Sequence, residues 1–162
     1  MGSTELGPED WQAIALTLRV AVVAVLASLP FGIAVAWVLS RTQFPGKILI
    51  EALVSLPLVL PPVVTGYGLL LLLGRHGPLG GFLDRALGIV VAFRWTGAAV
   101  AAAVMGFPFM VRGIRLSLDA IDRELEDAAH SLGAPGWLAF VTITLPLALP
   151  GILSGAGLAF GR

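Results

Sequence analysis

Residues 20–40 read VAVVAVLASLPFGIAVAWVLS and contain no charged side chain. Three more charge-free runs follow, at residues 52–74, 95–111 and 131–161. A helix needs about 20 apolar residues to cross a hydrocarbon core about 30 Å thick. Charged residues make up only 12% of the chain, roughly half of their usual share in soluble proteins. The sequence therefore predicts an all-α fold, a polytopic transmembrane helical bundle with about four membrane helices.

The first charge-free run is expected to be a retained membrane helix, roughly residues 11–39. The preceding segment, MGSTELGPED, is acidic, whereas a secretory signal peptide begins with basic residues and has a shorter apolar run. We expect Arg19 to reach back to the membrane interface and Trp37 to lie at the opposite interface.

The remaining spans are expected at residues 48–74, at 95–111 and from about Trp137 to the end. Between the second and third spans, apolar residues recur at helical spacing, which predicts a short helix at the membrane surface. Those residues are Phe82, Leu83, Ala86, Leu87 and Val90.

The distribution of Lys and Arg predicts the orientation. Four spans place the N-terminus, residues 75–94 and the C-terminus on one side, and residues 40–47 and 112–136 on the other. The second side carries Arg41, Lys47, Arg112, Arg115 and Arg123, and the first carries Arg75, Arg85, Arg94 and Arg162. Because cytoplasmic loops are enriched in Lys and Arg, we expect residues 112–136 in the cytoplasm and the N-terminus outside.

Several functional classes are disfavoured by the sequence. The net charge is zero and no basic cluster occurs, which argues against nucleic acid as a partner. The segment GRHGPLGG lacks the Lys-Ser/Thr of a phosphate-binding loop. His76 and His130 fall on opposite sides of the membrane and Ser154 has no nearby base, so we expect no metal site and no catalytic residue. An intramembrane enzyme remains a weaker alternative.

The stretch from Ser117 to Pro146 differs from the spans around it. Ile121, Leu125, Ala128 and Leu132 fall on one face of a helix, Asp119 is a plausible N-cap, and Asp122 and Glu124 suit the positive end of its dipole. Gly133 stands where a left-handed C-cap is expected, and Pro135 can begin the next helix. We predict a short amphipathic helix outside the bilayer, whose apolar face packs either on this protein's own loops or on another protein.

The order Asp127-Ala128-Ala129, three residues, Gly133, nine residues, Ile143, one residue, Leu145-Pro146 resembles the EAA signature of ABC-importer permeases. The match is complete except that Asp127 replaces Glu, which shortens the carboxylate by one methylene; neighbouring Glu126 is an alternative for its contact. The resemblance implies a cytoplasmic coupling helix, at about residues 113–136, that docks on an ABC ATPase subunit. The coupling residues it implies are Glu126, Asp127, Ala128, Ala129, Leu132, Gly133, Ile143, Leu145 and Pro146.

Three further segments resemble the molybdate branch of these permeases. They begin FPGKILIEALVSLPLVLPPVVTGYG, FMVRGIRLSLDAID and FVTITLPLALPGILSGAGLAF. The resemblance implies a permease subunit that imports molybdate, or tungstate, across a bacterial or archaeal inner membrane. The alternatives are a sulfate or thiosulfate permease and, in a different class, an ATP-independent pore or membrane scaffold.

The same resemblance sets expectations for the domain and its partners. We expect one transmembrane permease domain over residues 1–162, incomplete at its C-terminus. Expected partners are the ATPase, an extracytoplasmic oxyanion-binding protein, a second permease copy and the lipid bilayer. This chain itself is expected to bind no cofactor, since ATP and Mg²⁺ would be held by the ATPase.

Residues at the centre of the second span are candidates for the translocation pathway. Proline within a membrane helix frees backbone carbonyls, which are tolerated only when buried in protein or facing a wet cavity. Polar groups beside a broken helix often line transport routes, whereas the simpler alternative is a packed proline kink. The candidates are Pro61, Pro62, Thr65, Gly66 and Tyr67.

Two local patterns complete the sequence-based predictions. Gly151, Gly155 and Gly157 belong to small-residue spacings that allow close helix crossing, either within one subunit or across a dimer. Glu51 lies four residues after Lys47, and we expect an ion pair between them at the cytoplasmic interface.

Overall fold

The computed structural model describes residues 7–74, 77–87 and 94–161, and every regular element within these ranges is helical. The long helices α1, α5 and α8 form the bundle, and shorter helices connect them. The elements are α1 (Pro8–Arg41), α2 (Lys47–Val59), α3 (Pro62–Leu73), α4 (Pro78–Leu87), α5 (Trp95–Asp119), α6 (Arg123–Ser131), α7 (Gly136–Ala139), a π-helical segment (Phe140–Thr144) and α8 (Leu145–Phe160).

Helix α1 is longer than predicted, at 34 residues. Its N-terminus is fixed by Asp10, whose carboxylate accepts the backbone N–H of Gly7 at 2.9 Å. It ends where Thr42 turns to an extended conformation. Near the start of the helix, the guanidinium of Arg19 stacks over the ring of Trp95 at 4.4 Å, so this cation has an aromatic partner on α5.

The second predicted span is two helices rather than one. The chain turns by 112° between α2 and the helical segment that begins at Pro62. Leu60 is extended, because the ring of the following Pro61 disfavours the helical conformation for the residue before it. Pro62 then begins α3, where its missing N–H costs nothing. α2 and α3 are therefore separate helices, which form a broken span or a re-entrant loop and not one kinked helix.

The following connection contains a short helix, α4, as predicted, and its position at the membrane surface stays a prediction. Phe82 lies on it and is 67% exposed. Val90, the last apolar position of the predicted helix, lies outside the described residues, as does His76.

The core lies where α5 packs between α1 and α8. Its buried side chains are Ala36, Leu39, Met110, Val111, Ile114, Leu118, Ala148 and Ile152. Most other large apolar side chains face outward; Leu26 is 63% and Leu153 69% exposed. An apolar outer surface of this extent suits lipid rather than water.

Helices α5 and α8 cross closely at glycines. A Cβ built on Gly113 would lie 2.7 Å from the Cα of Gly155, and one on Gly151 would overlap the side chain of Ser117. Two of the three predicted packing glycines, Gly151 and Gly155, therefore lie at a crossing within this chain. A Cβ on Gly157 would meet nothing within 4 Å among the described residues. Gly157 therefore does not lie at this crossing, and its packing against another chain stays a prediction.

The fourth predicted span is one helix from Gly136 to Phe160 with a π turn near its start. Pro146 cannot donate to the carbonyl of Thr142, and its ring would crowd that carbonyl in a regular α-helix. The wider turn at residues 140–144 precedes this proline directly. Together with α1, α5 and the broken pair α2–α3, this gives three continuous spans, or four if the bent pair is counted as one.

Candidate coupling site

Helix α6 begins at a side-chain cap, although not at the residue predicted. The carboxylate of Asp122 accepts the backbone N–H of Glu124 at 3.0 Å. Asp119, the predicted N-cap, is instead the last residue of α5. Its carboxylate accepts the hydroxyl of Ser40 and lies 3.5 Å from the guanidinium of Arg115. The prediction for Asp119 was wrong because α5 continues two turns past the charge-free run that predicted it.

The sharp turn after α6 is the one that the sequence predicts. Gly133 has φ +86°, a conformation that costs an L residue about 1–2 kcal/mol. The N–H of Ala134 donates to the carbonyl of Ala129 at 3.0 Å, and that of Gly133 to the carbonyl of His130 at 2.9 Å. Pro135 then caps the next helix.

Within residues 7–74, 77–87 and 94–161, nothing covers the apolar face of α6. Leu125 is 47% exposed and Leu132 89% exposed, and Ala128 is exposed between them. Ile121, the fourth predicted member of the face, precedes α6 and packs on the core instead. Of the two alternatives that the sequence left open, the exposure of Leu125, Ala128 and Leu132 favours packing on another protein, which stays a prediction.

Glu126 joins α6 to two other elements. Its carboxylate pairs with the guanidinium of Arg41, at the end of α1, at 3.0 Å, and accepts the hydroxyl of Thr144, in the π segment, at 2.5 Å. The side chains of Arg41 and Glu126 are 8% and 18% exposed, and Thr144 is buried. Asp127, the motif position, is exposed, and the structure records no side-chain partner for it within the described ranges. Glu126 therefore makes the interhelical contact.

A second chain of polar contacts ties α5 to α2 and α1. Arg115 pairs with Glu51 on α2 at 2.7 Å as well as with Asp119, and Arg123 donates to the backbone carbonyl of Ser40 at 3.1 Å. The predicted pair of Glu51 with Lys47 was wrong, because Glu51 faces α5 and Arg115 reaches it.

The rest of the motif lies where α7 continues into α8. Ile143 belongs to the π segment and Leu145 packs on the core. The wider turn places Thr144, between them, towards Glu126. Sequence reasoning missed Arg41 and Thr144. The local signal for Arg41 is its position directly after a charge-free run, and that for Thr144 is a polar side chain between Ile143 and Leu145 of the motif.

The candidate pathway residues gather at the break between α2 and α3, apart from the coupling residues. Pro61 and Pro62 leave the carbonyls of Pro57 and Leu58 without the N–H donors of a regular helix. The hydroxyl of Thr65 lies 3.5 Å from the carbonyl of Pro61. Tyr67 is 62% exposed, and a Cβ on Gly66 would meet nothing within 4 Å in the described part of the chain.

The described residues contain no group of three or more His, Asp or Glu side chains that could hold a metal ion. The carboxylates of Glu51, Asp119 and Glu126 are instead engaged with arginines, a serine and a threonine. The arrangement suits a mechanical connection: an outward-facing apolar patch on α6, and ionic contacts from the same helix to the ends of the membrane helices.

A family of transport proteins shares this sequence pattern over nearly the whole chain. The model of the binding-protein-dependent transport system inner membrane component family matches residues 10–162. The chain belongs to this family. It is accordingly a transport component and a multi-pass protein of the inner membrane, built as a polytopic helical permease.

Individual members of the family differ in their similarity to this permease. Permease protein ModB of the molybdenum transport system of Escherichia coli K12 is 58% identical over 153 residues, 94% of this chain and 67% of that protein. ModB of Haemophilus influenzae is 54% identical over 93% of this chain and 66% of its own length. CysT, the sulfate transport system permease of Escherichia coli K12, is 38% identical over 96% of this chain and 56% of its length. The chain thus spans about two thirds of the molybdenum permeases it matches.

Proposed function

We propose that this chain is a membrane-spanning subunit of an ATP-driven importer that moves molybdate, or tungstate, into the cytoplasm. The observation that carries the proposal is the difference in identity: 58% and 54% to two molybdenum transport permeases, against 38% to 41% for sulfate transport permeases. Tungstate is included because the two oxyanions have the same charge and nearly the same size.

The exposed patch of α6 supports a role in coupling. A cytoplasmic ATPase subunit would seat on Leu125, Ala128 and Leu132, where apolar area is available for burial. Movement of α6 would then reach α1 through the Glu126–Arg41 pair and α8 through Thr144, because both contacts are short and largely buried. This role requires α6 to lie in the cytoplasm, as the Lys and Arg distribution predicts.

The break between α2 and α3 supports a role in translocation. The hydroxyls of Thr65 and Tyr67 offer an oxyanion weak, uncharged hydrogen-bond donors. Weak contacts suit conduction, since a permeating ion must also leave its site. Selectivity would then rest mainly with an extracytoplasmic binding protein that delivers the oxyanion.

The remaining partners follow from the same proposal. The transporter would contain two copies of the permease and two of the ATPase, with ATP and Mg²⁺ on the ATPase. This chain would carry no catalytic site of its own.

Uptake by cells with and without the gene for this protein tests the proposal. We expect molybdenum accumulation to fall on deletion, and wild-type uptake to be blocked by tungstate and not by equal sulfate. Competition by sulfate would assign the protein to sulfate import. Uptake that is unchanged by deletion, or that persists in wild-type vesicles without ATP, would contradict an ATP-driven molybdate importer.

A further inference from the structure

Helices α2 and α5 enclose a polar cleft near the end of the bundle that carries α6. The cleft has a volume of about 170 Å³ and is lined by Leu39, Glu51, Val54, Ser55, Val111, Arg112 and Arg115. Its polar residues form two facing rows, since Arg112 and Arg115 lie one turn apart on α5, and Glu51 and Ser55 one turn apart on α2.

The charges in this cleft are unevenly paired. Arg115 is paired with both Glu51 and Asp119. Arg112 forms no ion pair with a carboxylate among the described residues, and its recorded contact is a 3.3 Å hydrogen bond to the hydroxyl of Ser55. A guanidinium has five N–H donors in a fork that suits oxyanions, so Arg112 has donors left to offer an anion.

Arg112 is the first residue after the charge-free run of α5, residues 95–111. Seven residues separate it from Asp119 at the end of α5, which is about 10 Å along the helix axis. The side chain of Arg112 is exposed, on the part of α5 that continues past the charge-free run, and is therefore open to an arriving anion. Ser55, its partner, lies six residues before Pro61 on α2. An anion that leaves the α2–α3 break towards the coupling end would reach Ser55 and Arg112 next.

We propose that Arg112, Ser55 and Arg115 form a transient binding site for the transported tetrahedral oxyanion, at the end of the pathway nearest α6. The inference rests on the proposed import of an oxyanion. Four oxygen atoms, each about the size of a water molecule of about 30 Å³, occupy roughly 120 Å³, which the cleft of about 170 Å³ can hold. Glu51 keeps the site weak, because an arriving anion must compete with it for Arg115.

The test compares variants in vesicles that contain the assembled transporter, with molybdate as the probe. For Arg112→Gln we expect the molybdate taken up per ATP hydrolysed, at saturating molybdate, to fall about tenfold. This is the effect expected from the loss of one charge-assisted hydrogen bond. Arg112→Lys, which keeps the charge without the fork, should lose less. Arg94→Gln, at the exposed opposite end of α5, is the matched control and should leave uptake unchanged.

Glu51→Gln gives a readout that a merely structural role would not produce. Removing the competing carboxylate should strengthen anion binding, so the molybdate concentration for half-maximal uptake should fall about threefold or more while the maximal rate also falls, because release becomes slower. The proposal would be overturned if Arg112→Gln and Arg94→Gln lost the same fraction of the uptake rate. It would also be overturned if Glu51→Gln raised the molybdate concentration needed for half-maximal uptake.

Lipid phosphate has the same chemistry as the proposed ligand and must be distinguished from it. If Arg112 binds the phosphate of a lipid headgroup, Arg112→Gln should lose its defect in vesicles of a phosphate-free glycolipid and show it only when phospholipid is added. A defect that is the same in both vesicles supports the substrate site. Failure of the wild-type transporter to move molybdate would instead reject the proposed function, whatever the variants do.

Discussion

At the scale of single residues, Glu126 is the acidic side chain that holds α6 to the membrane helices. Its Oε1 accepts from the guanidinium of Arg41 at 3.0 Å and from the hydroxyl of Thr144 at 2.5 Å. Removing one partner of a buried ion pair leaves the other charge without compensation, which typically costs 3–5 kcal/mol. The Nε of Arg41 already lacks a partner among the described residues, so the guanidinium depends on Glu126.

Glu126→Gln is therefore expected to destabilise the protein by about 3 kcal/mol and to reduce ATP-dependent uptake. Asp127→Asn is the matched control, since Asp127 is exposed and surface changes usually alter stability by less than about 0.5 kcal/mol. The measurement is the thermal unfolding midpoint in detergent, alongside uptake per ATP hydrolysed. Equal midpoints for the two variants would show that the Arg41 contact does not stabilise the fold.

Gly133 makes a second prediction at this scale. Its φ of +86° is unfavourable for a β-branched residue, so Gly133→Val should destabilise the turn by about 1–2 kcal/mol and reduce coupled transport. Gly133→Asn, which tolerates the left-handed conformation better, should be milder. Transport by Gly133→Val equal to wild type, with the ATPase still bound, would contradict a role for this turn in coupling.

At the scale of elements, the crossing of α5 and α8 depends on missing side chains. Gly151→Ala would push a methyl group into Ser117, and forced overpacking costs about 1–3 kcal/mol. Gly157→Ala on the same helix has open space and should be neutral or gain up to about 1 kcal/mol from the better helix propensity of alanine. Unfolding midpoints of the two variants check the prediction, and a Gly151→Ala variant as stable as Gly157→Ala would refute the close crossing.

Helix α3 carries the prediction for the pathway. Replacing Thr65 with Val and Tyr67 with Phe together removes two hydroxyls at little change in volume, and uptake should fall about fivefold per lost hydrogen bond of about 1 kcal/mol. Val63→Ala, on the same helix and 81% exposed, is the control. Uptake by the double variant at the wild-type rate would assign Thr65 and Tyr67 to packing.

At the scale of the whole molecule, the exposed face of α6 predicts how the transporter assembles. Leu125→Ser with Leu132→Ser should weaken retention of the ATPase during purification, because the apolar area available for burial is lost. Leu116→Ser, an equally accessible leucine on α5 at 75% exposure, should leave retention unchanged. The measurement is the ratio of ATPase to permease after purification in detergent, and an unchanged ratio in the double variant would place the ATPase contact elsewhere.

The sequence by itself determined the class of the molecule and its local geometry. Runs without charge predict membrane spans because a buried charge in lipid is costly. Gly133 and Pro135 predict the turn after α6, since few other residues satisfy its backbone angles. These features depend on neighbours within one or two turns of the same helix.

Only the tertiary structure decided which distant residues meet. Glu126 pairs with Arg41, 85 positions away, and Glu51 with Arg115, 64 positions away, where the sequence predicted a local pair with Lys47. The same holds for Gly151, which packs against Ser117 within this chain. The physical reason is that the crossing of α1, α2, α5 and α8 sets these distances, and it arises from the packing of all their faces at once.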